Sequence, residues 1–345
     1  MTDFAEQTAT NIHNILKYSL KLEGENKVLV IYDTDYELTR ILTEGYKIAL
    51  GKLKNEVKFY DFNEISKDGK DKVIQLFDQL SNGDLVVLIQ SNSFRLDDFR
   101  IRLHLFAKKL KVIEHLHLHR NKMEVFDVYI NSLKYDEIEQ KWYQSMKTKL
   151  TDQLTKASKL EFITQKSTLN VGAVEIPKLN IGDYTGMQNI GGTFPIGEIF
   201  TEAKDFGTMN GSIYIYAFAD QSFNISFHEP FSVEIQNGLV VGYGDNTPRG
   251  FIEVLDLVKS LERPLIREIG FGLNRAITKE RPLGDITAYE RILGVHMSLG
   301  EKHSVYKKLG ITTHKTKFHV DLLLCVDEVK AVIDSKIVQI TDGKF

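Results

Sequence analysis

The chain has 345 residues, 42% of them hydrophobic and 26% charged, with 44 basic against 47 acidic side chains and a net charge of -3. That length accommodates one large domain or two, and the near-balanced charge argues against a nucleic-acid footprint or a polybasic membrane surface. One cysteine, Cys325, excludes an intrachain disulfide and a cysteine-based zinc site, which fits a reducing compartment.

The segment Met1–Gln7 is polar and acidic and lacks the basic flank and apolar core of a signal peptide. No apolar run approaches the roughly 20 residues that span a bilayer. The expectation is a cytoplasmic protein. Cys325 lies in the apolar run from Leu322 to Val326 and is expected to pack as a small hydrophobe.

Apolar residues at helical spacing predict a helix from Asn11 to Leu22, followed by a short buried strand, Lys27 to Tyr32. A helix from Tyr36 to Leu50, a strand from Val57 to Tyr60 and a helix from Asp71 to Leu80 come next. Then follow an apolar strand, Leu85 to Gln90, a helix from about Asp97 to Lys109 and a strand from Val112 to Leu118. Strand and helix in alternation imply an α/β domain whose parallel sheet carries helices on both faces. The turn after Tyr32 (Asp33, Thr34, Asp35) has no glycine, and no Gly-rich loop follows the other strands, so a dinucleotide or P-loop site is not expected. His115, His117 and His119 alternate. They read either as a metal cluster or as a strand end with half-exposed imidazoles. The second reading is preferred because Glu114 has the opposite phase.

A long charged helix, Tyr135 to Ser158, separates this part from one of different character. Strands are expected at Leu160 to Gln165, Ser212 to Phe218, Phe223 to Phe227 and Phe231 to Gln236, with a hairpin turn at Asn237-Gly238. The stretch from Gly242 to Gly250 reads as a further hairpin turn, and Phe251 to Leu261 as a helix. The second domain is therefore mainly β, or α+β. The expected division is 1–160 and 161–345, with the boundary near 158–175.

Four places in the second part could carry chemistry. Glu198, with Glu202 close behind, follows a Gly/Pro-rich turn; Glu268 precedes two glycines, Gly270 and Gly272, that allow close approach of a ligand or another backbone. His296 and His303 frame an alternating segment. His319 and Asp321 are two apart, so both leave one face of a strand. Together these form an oxygen-rich Glu/His/Asp set suited to one or two Zn, Mn, Co or Fe ions.

The run from Asn189 to Thr201, NIGGTFPIGEIFT, resembles the asparagine-proline-glycine-glutamate-valine-phenylalanine-threonine segment of the thermophilic-type metallo-aminopeptidases, the aminopeptidase T/S family. Arg267 to Asn274 resembles that family's glutamate-leucine-glycine motif. Tyr289 to Gly300 is similar to its glutamate-lysine and glycine-threonine-histidine segment, and Phe318 to Asp321 to its histidine-x-aspartate. The closing residues from Asp342 to Phe345 also fit. The likeness covers most of the chain, is weak before 160 and is specific after 189.

The resemblance implies divalent metal ions, two in number (Zn, Co or Mn), held by Glu198, Glu268, His296, His319 and Asp321. Glu198 or Glu268 would be the catalytic base, a peptide the substrate, and the assembly a homodimer. No nucleic acid or membrane partner is implied. The family's tyrosine ligand, seven residues after the motif histidine, falls on His303 here (296 + 7 = 303), which is carried over as a further metal ligand. Two alternatives stand beside this reading. One is a mononuclear Fe(II) ring-cleaving dioxygenase of the same fold, with His319, Asp321 and one of His296 or His303 as its triad. The other is a catalytically altered relative that acts as a binding protein.

Overall fold

The computed structural model describes residues 2–68, 70–96, 99–164, 166–222, 224–303, 305–311 and 315–341. The closing segment Asp342 to Phe345 lies outside the described residues. In chain order the first part comprises helix α1 (Thr2–Asn14), strand β1 (Val28–Tyr32), α2 (Glu37–Gly51), β2 (Val57–Asp61), the short α3 (Phe62–Ile65), α4 (Lys70–Asp78) and β3 (Leu85–Ile89). Next come α5 (Ile101–Ala107), β4 (Lys111–His115), α6 (Phe126–Ser132) and the long α7 (Glu137–Lys156). The strands β5 (Lys159–Ile163), β6 (Thr168–Gly172), β7 (Lys178–Asn180), β8 (Gly191–Phe194), β9 (Glu198–Thr201), β10 (Asn210–Ala219), β11 (Ile225–Gln236) and β12 (Leu239–Tyr243) follow. The chain finishes with α8 (Arg249–Leu261), β13 (Ile266–Gly272), β14 (Gly294–Leu299), β15 (Val320–Leu324), β16 (Glu328–Ile333) and β17 (Lys336–Thr341).

Two compact units result. The first gathers Met1–Lys141, Ile181–Ile196 and Arg275–Ala288; the second gathers Trp142–Asn180, Gly197–Asn274 and Tyr289–Phe345. The first unit thus draws on residues beyond position 160 as well as before it, because β8 completes its sheet.

That sheet is parallel throughout, in the order β2-β1-β3-β4-β8. The run from Leu85 to Ile89 is buried at every position, as a strand covered on both faces must be. Leu29, Ile31, Val86, Leu88 and Val112 pack on one face with Phe62, Val73, Phe77, Ile101 and Leu105 from α3, α4 and α5. The alternate strand positions face α2, where Tyr46 reaches His115 of β4. Gly45 of α2 lets α1 approach: a Cβ there would stand 2.4 Å from Thr8 Cγ2.

The second unit is built on a 12-stranded sheet along the path β17-β16-β5-β6-β10-β15-β14-β13-β9-β7, with β11 and β12 branching from β10. Every pairing in it is antiparallel. The β11–β12 turn has Asn237 and Gly238 both at positive φ, 52° and 75°, the conformation that selects Asn-Gly. Among the described residues, no helix is long and apolar enough to cross a membrane.

Several expectations need correction. The strand expected to run from Val112 to Leu118 stops at His115, because His117 turns left-handed at φ 51° and opens a 3-10 turn. The three histidines therefore share no strand face. His115 is buried between the hydroxyls of Tyr46 and Tyr129, at 2.9 and 2.8 Å, while His117 and His119 bond Asn92 and the Ser91 carbonyl. The stretch from Gly242 to Gly250 is not a hairpin turn; it leads from β12 into α8, with Pro248 at the helix start. The two strands expected at Phe223 to Phe227 and Phe231 to Gln236 are one, β11, which bulges where it pairs with β10. Cys325 is exposed rather than packed, since β15 ends one residue before it.

Candidate metal centre

The register of four neighbouring strands brings the candidate residues to one face. Glu198 of β9 stands opposite Gly272 of β13, Gly270 opposite His296 of β14, and Ser298 of β14 opposite Asp321 of β15. Residues two apart on a strand share a face. Glu268, Gly270, Gly272, Glu198, His296, Asp321 and, just before β15, His319 therefore point the same way. Between Ile266 and Ile269 the pairing with β14 shifts by one, a bulge that takes in Arg267 and Glu268.

The two glycines have distinct steric roles. A Cβ on Gly270 would lie 2.0 Å from His296 Nε2, so the imidazole occupies the space of the missing side chain. A Cβ on Gly272 would lie 1.9 Å from the carbonyl oxygen of Ile292 and 3.0 Å from that of Glu290. The backbone from Glu290 to Ile292 thus crosses directly over β13, and it delivers Glu290 and Arg291 to the face.

The resulting cluster is dense. His296 Nε2 lies 3.3 Å from Glu198 Oε1 and 3.5 Å from Glu268 Oε1. His303 Nδ1 lies 3.2 Å from Glu268 Oε2. His319 Nε2 lies 3.2 Å from Glu290 Oε1, 3.3 Å from Asp321 Oδ1 and 3.9 Å from Glu268 Oε1. The other ring nitrogen of His319 donates to the Lys302 carbonyl at 3.0 Å, and Nε2 faces the carboxylates. Arg291 bridges Glu198 Oε2 and Glu290 Oε2, each at 2.6 Å. His319 and Glu290 keep about a quarter and a fifth of their side chains exposed (24% and 21%), so the cluster opens to solvent on their side.

Four carboxylates held this close repel one another, and the ionisation of the cluster reflects it. Burial pushes Glu198 up to about 7, although Arg291 opposes this. Burial, with Glu290 nearby, also raises Asp321. Against the cost of burial, the imidazoles of His296, His303 and His319 hold Glu268 below the usual carboxylate range, and Arg291 and His319 do the same for Glu290. His296 resists charging because it is buried, yet Glu198 and Glu268 raise it to about 10. Burial opposes charge on His319 as well, yet Asp321 and Glu290 raise it.

Glu198 Oε1, Glu268 Oε1, Asp321 Oδ1, both ring nitrogens of His296 and Nε2 of His303 are buried without a hydrogen-bond partner. Buried polar atoms are normally satisfied, so this concentration of orphans calls for a further partner. Two triplets, Glu198/Glu268/His296 and Glu268/Glu290/His319, each offer ligand atoms within 4.8 Å of one another. Carboxylate oxygen with imidazole nitrogen and no sulfur is a donor set for Zn, Mn, Co or Fe. The residues present thus fit a metal.

The six residues carried over as metal ligands come together here. Glu202 does not join them: it is fully buried in a bidentate ion pair with Arg267. Tyr306 stacks on His303, its ring centroid 5.4 Å away, but sends its hydroxyl to the Ile176 carbonyl, 2.7 Å away. Sequence reasoning missed Glu290 and Arg291 as members. The signal was an adjacent acid–base pair two residues ahead of an apolar strand.

No family model and no curated protein matches the chain. Among solved structures, wild-type AmpT from Thermus thermophilus is similar over 99% of both chains, with a TM-score of 0.64 and 11% sequence identity. The chain therefore shares the fold of that protein.

Proposed function

We propose that this chain is a metal-dependent aminopeptidase that binds two divalent ions, Zn, Co or Mn. The observation that carries the reading is the shared position of Glu268. Its carboxylate belongs to both ligand triplets: Oε1 faces His296 and His319, and Oε2 faces His303. A carboxylate common to two donor sets is the arrangement that bridges two ions. The AmpT-like fold and the segments resembling the aminopeptidase T/S family support the same reading.

Glu198, Glu268 and His296 would hold one ion; Glu268, His319, Asp321 and His303 would hold the other. Ions bound there would polarise a scissile carbonyl and acidify a water. Arg291 engages both Glu198 and Glu290, and imidazoles enclose Glu268, but Glu290 is the most exposed of the three and stands at the open side. Glu290 is then the carboxylate best able to exchange a proton with substrate, and Arg291 keeps it ionised. A homodimer belongs to the same reading.

The test is metal analysis of the purified chain together with hydrolysis of aminoacyl p-nitroanilides in added Co, Zn or Mn. Two ions per chain with turnover on free-amine substrates is the expected result. Two bound ions without turnover on any such amide would refute the peptidase reading. One bound iron with oxygen uptake on dihydroxylated aromatics would replace it by ring cleavage.

A further inference from the structure

Arg267 is one of the largest fully buried side chains in the protein, 1% exposed, and its partner Glu202 is 0% exposed. Its Nε and one terminal nitrogen grip the Glu202 carboxylate. Its remaining N–H groups donate to the backbone carbonyls of Glu301, at 2.7 Å, and Tyr306, at 3.1 Å. Those two residues bracket His303. The Tyr306 ring lies parallel to the His303 ring, 3° apart in plane, and His303 in turn meets Glu268 Oε2 at 3.2 Å. The bulge in β13 lets two successive residues serve different ends: Glu268 enters the cluster while Arg267 reaches the segment that carries His303.

A buried ion pair is seldom worth more to stability than apolar residues of the same volume. A fully buried guanidinium that spends two donors on the carbonyls beside a cluster histidine is therefore better explained by placement. We propose that Arg267, fixed by Glu202, is a positioning residue that sets His303 against Glu268 and so completes the second of the two cation positions. This rests on the reading of Glu268 and His303 as metal ligands. Glu262 holds the base of the same segment through the amides of Glu301, Lys317 and Phe318, and Lys308 ties its far side to Glu175 and the Ala203 carbonyl. Removing Arg267 should therefore free His303 locally rather than unravel the loop.

The experiment compares wild type, the volume-matched double variant Arg267→Met/Glu202→Met, Arg267→Lys and His303→Ala. Protein stripped of metal is titrated calorimetrically with zinc, and hydrogen exchange around His303 is followed in the metal-free state. The double variant and His303→Ala should each keep one zinc affinity unchanged and weaken the other by roughly ten- to hundredfold, and the double variant should exchange faster around His303. Arg267→Lys, which keeps the charge but not the planar fork, should fall between. Folded variants with both zinc affinities and local exchange unchanged would overturn the inference. If the double variant fails to fold, Arg267→Lys decides by the same two readouts. If wild type binds no zinc, the proposed function fails separately, and hydrogen exchange in metal-free protein still decides this inference.

Discussion

The imidazole of His296 lies on the backbone of Gly270, its cross-strand partner, where a Cβ would stand 2.0 Å from Nε2. Gly270→Ala must therefore displace the ring, since backbone and imidazole cannot share that space. The strand is extended there and tolerates alanine conformationally. The variant should fold while losing metal affinity by roughly a hundredfold at the His296 position. Calorimetric zinc titration beside a thermal melt would check it; unchanged affinity would show that the ring has room to move aside.

Glu268 is shared between the two donor triplets, whereas His296 belongs to one. On the two-ion proposal, Glu268→Gln should abolish both ions, and His296→Ala should leave one. Metal counting by mass spectrometry after gel filtration separates the cases. Equal stoichiometry in the two variants would contradict the bridging role.

Arg291 is the fixed positive charge between Glu198 and Glu290. Removing one partner from a buried charge set costs about 3–5 kcal/mol. In Arg291→Met that cost should appear in metal-free protein and shrink when divalent ions supply the missing charge. Denaturant unfolding in EDTA and in saturating zinc gives the two values, and an equal loss in both media would argue against charge compensation. Saturation itself, at a hundred times Kd, should stabilise wild type by about 3 kcal/mol per bound ion.

His115 gives the first unit a separate acid sensitivity. Burial lowers its pKa from 6.5 to about 3. Between those values the unfolded chain binds the proton and the folded chain does not, so stability rises with pH across that window. Above pH 6.5 nothing is lost. As pH falls from 6.5 toward 3, stability drops by about 1.4 kcal/mol per pH unit. His115→Gln retains a donor and an acceptor for Tyr46 and Tyr129 without titrating. Between pH 7 and pH 5, wild type should lose about 2 kcal/mol more than this variant in denaturant titrations; parallel losses would place the acid sensitivity elsewhere.

The parallel sheet was legible because its strands are short apolar runs separated by helices of clear periodicity, Leu85 to Ile89 above all. The His319–Asp321 pair was legible because two-residue spacing fixes a shared strand face. Glu198 and Glu268 stood out through the glycines near them, although what those glycines admit, a ring at 270 and a crossing backbone at 272, is set by partners 20 or more residues away in sequence. Glu202 read like Glu198 for want of a local cue: its partner Arg267 lies 65 residues on. His117 could not be foreseen as a strand breaker, because a left-handed turn there is taken by a histidine rather than a glycine. Glu290 and Arg291 entered only as part of the segment resembling the family's glutamate-lysine, since nothing local reveals that their backbone crosses Gly272 of the sheet.

The register that lines up β9, β13, β14 and β15 also decides when the cluster can come into being. Its members span 123 positions of the chain, from Glu198 to Asp321 (321 - 198 = 123), and no two strands alone bring all of them together. A nascent or partly folded chain offers scattered carboxylates and imidazoles, each a weak ligand. Long-range antiparallel pairing is slow to form, so on the proposed metal-binding reading tight capture would be a late event that reports a finished sheet, unlike a zinc finger, whose ion drives folding. Metal scarcity would then leave folded but inert protein, recoverable on resupply, rather than an unfolded chain.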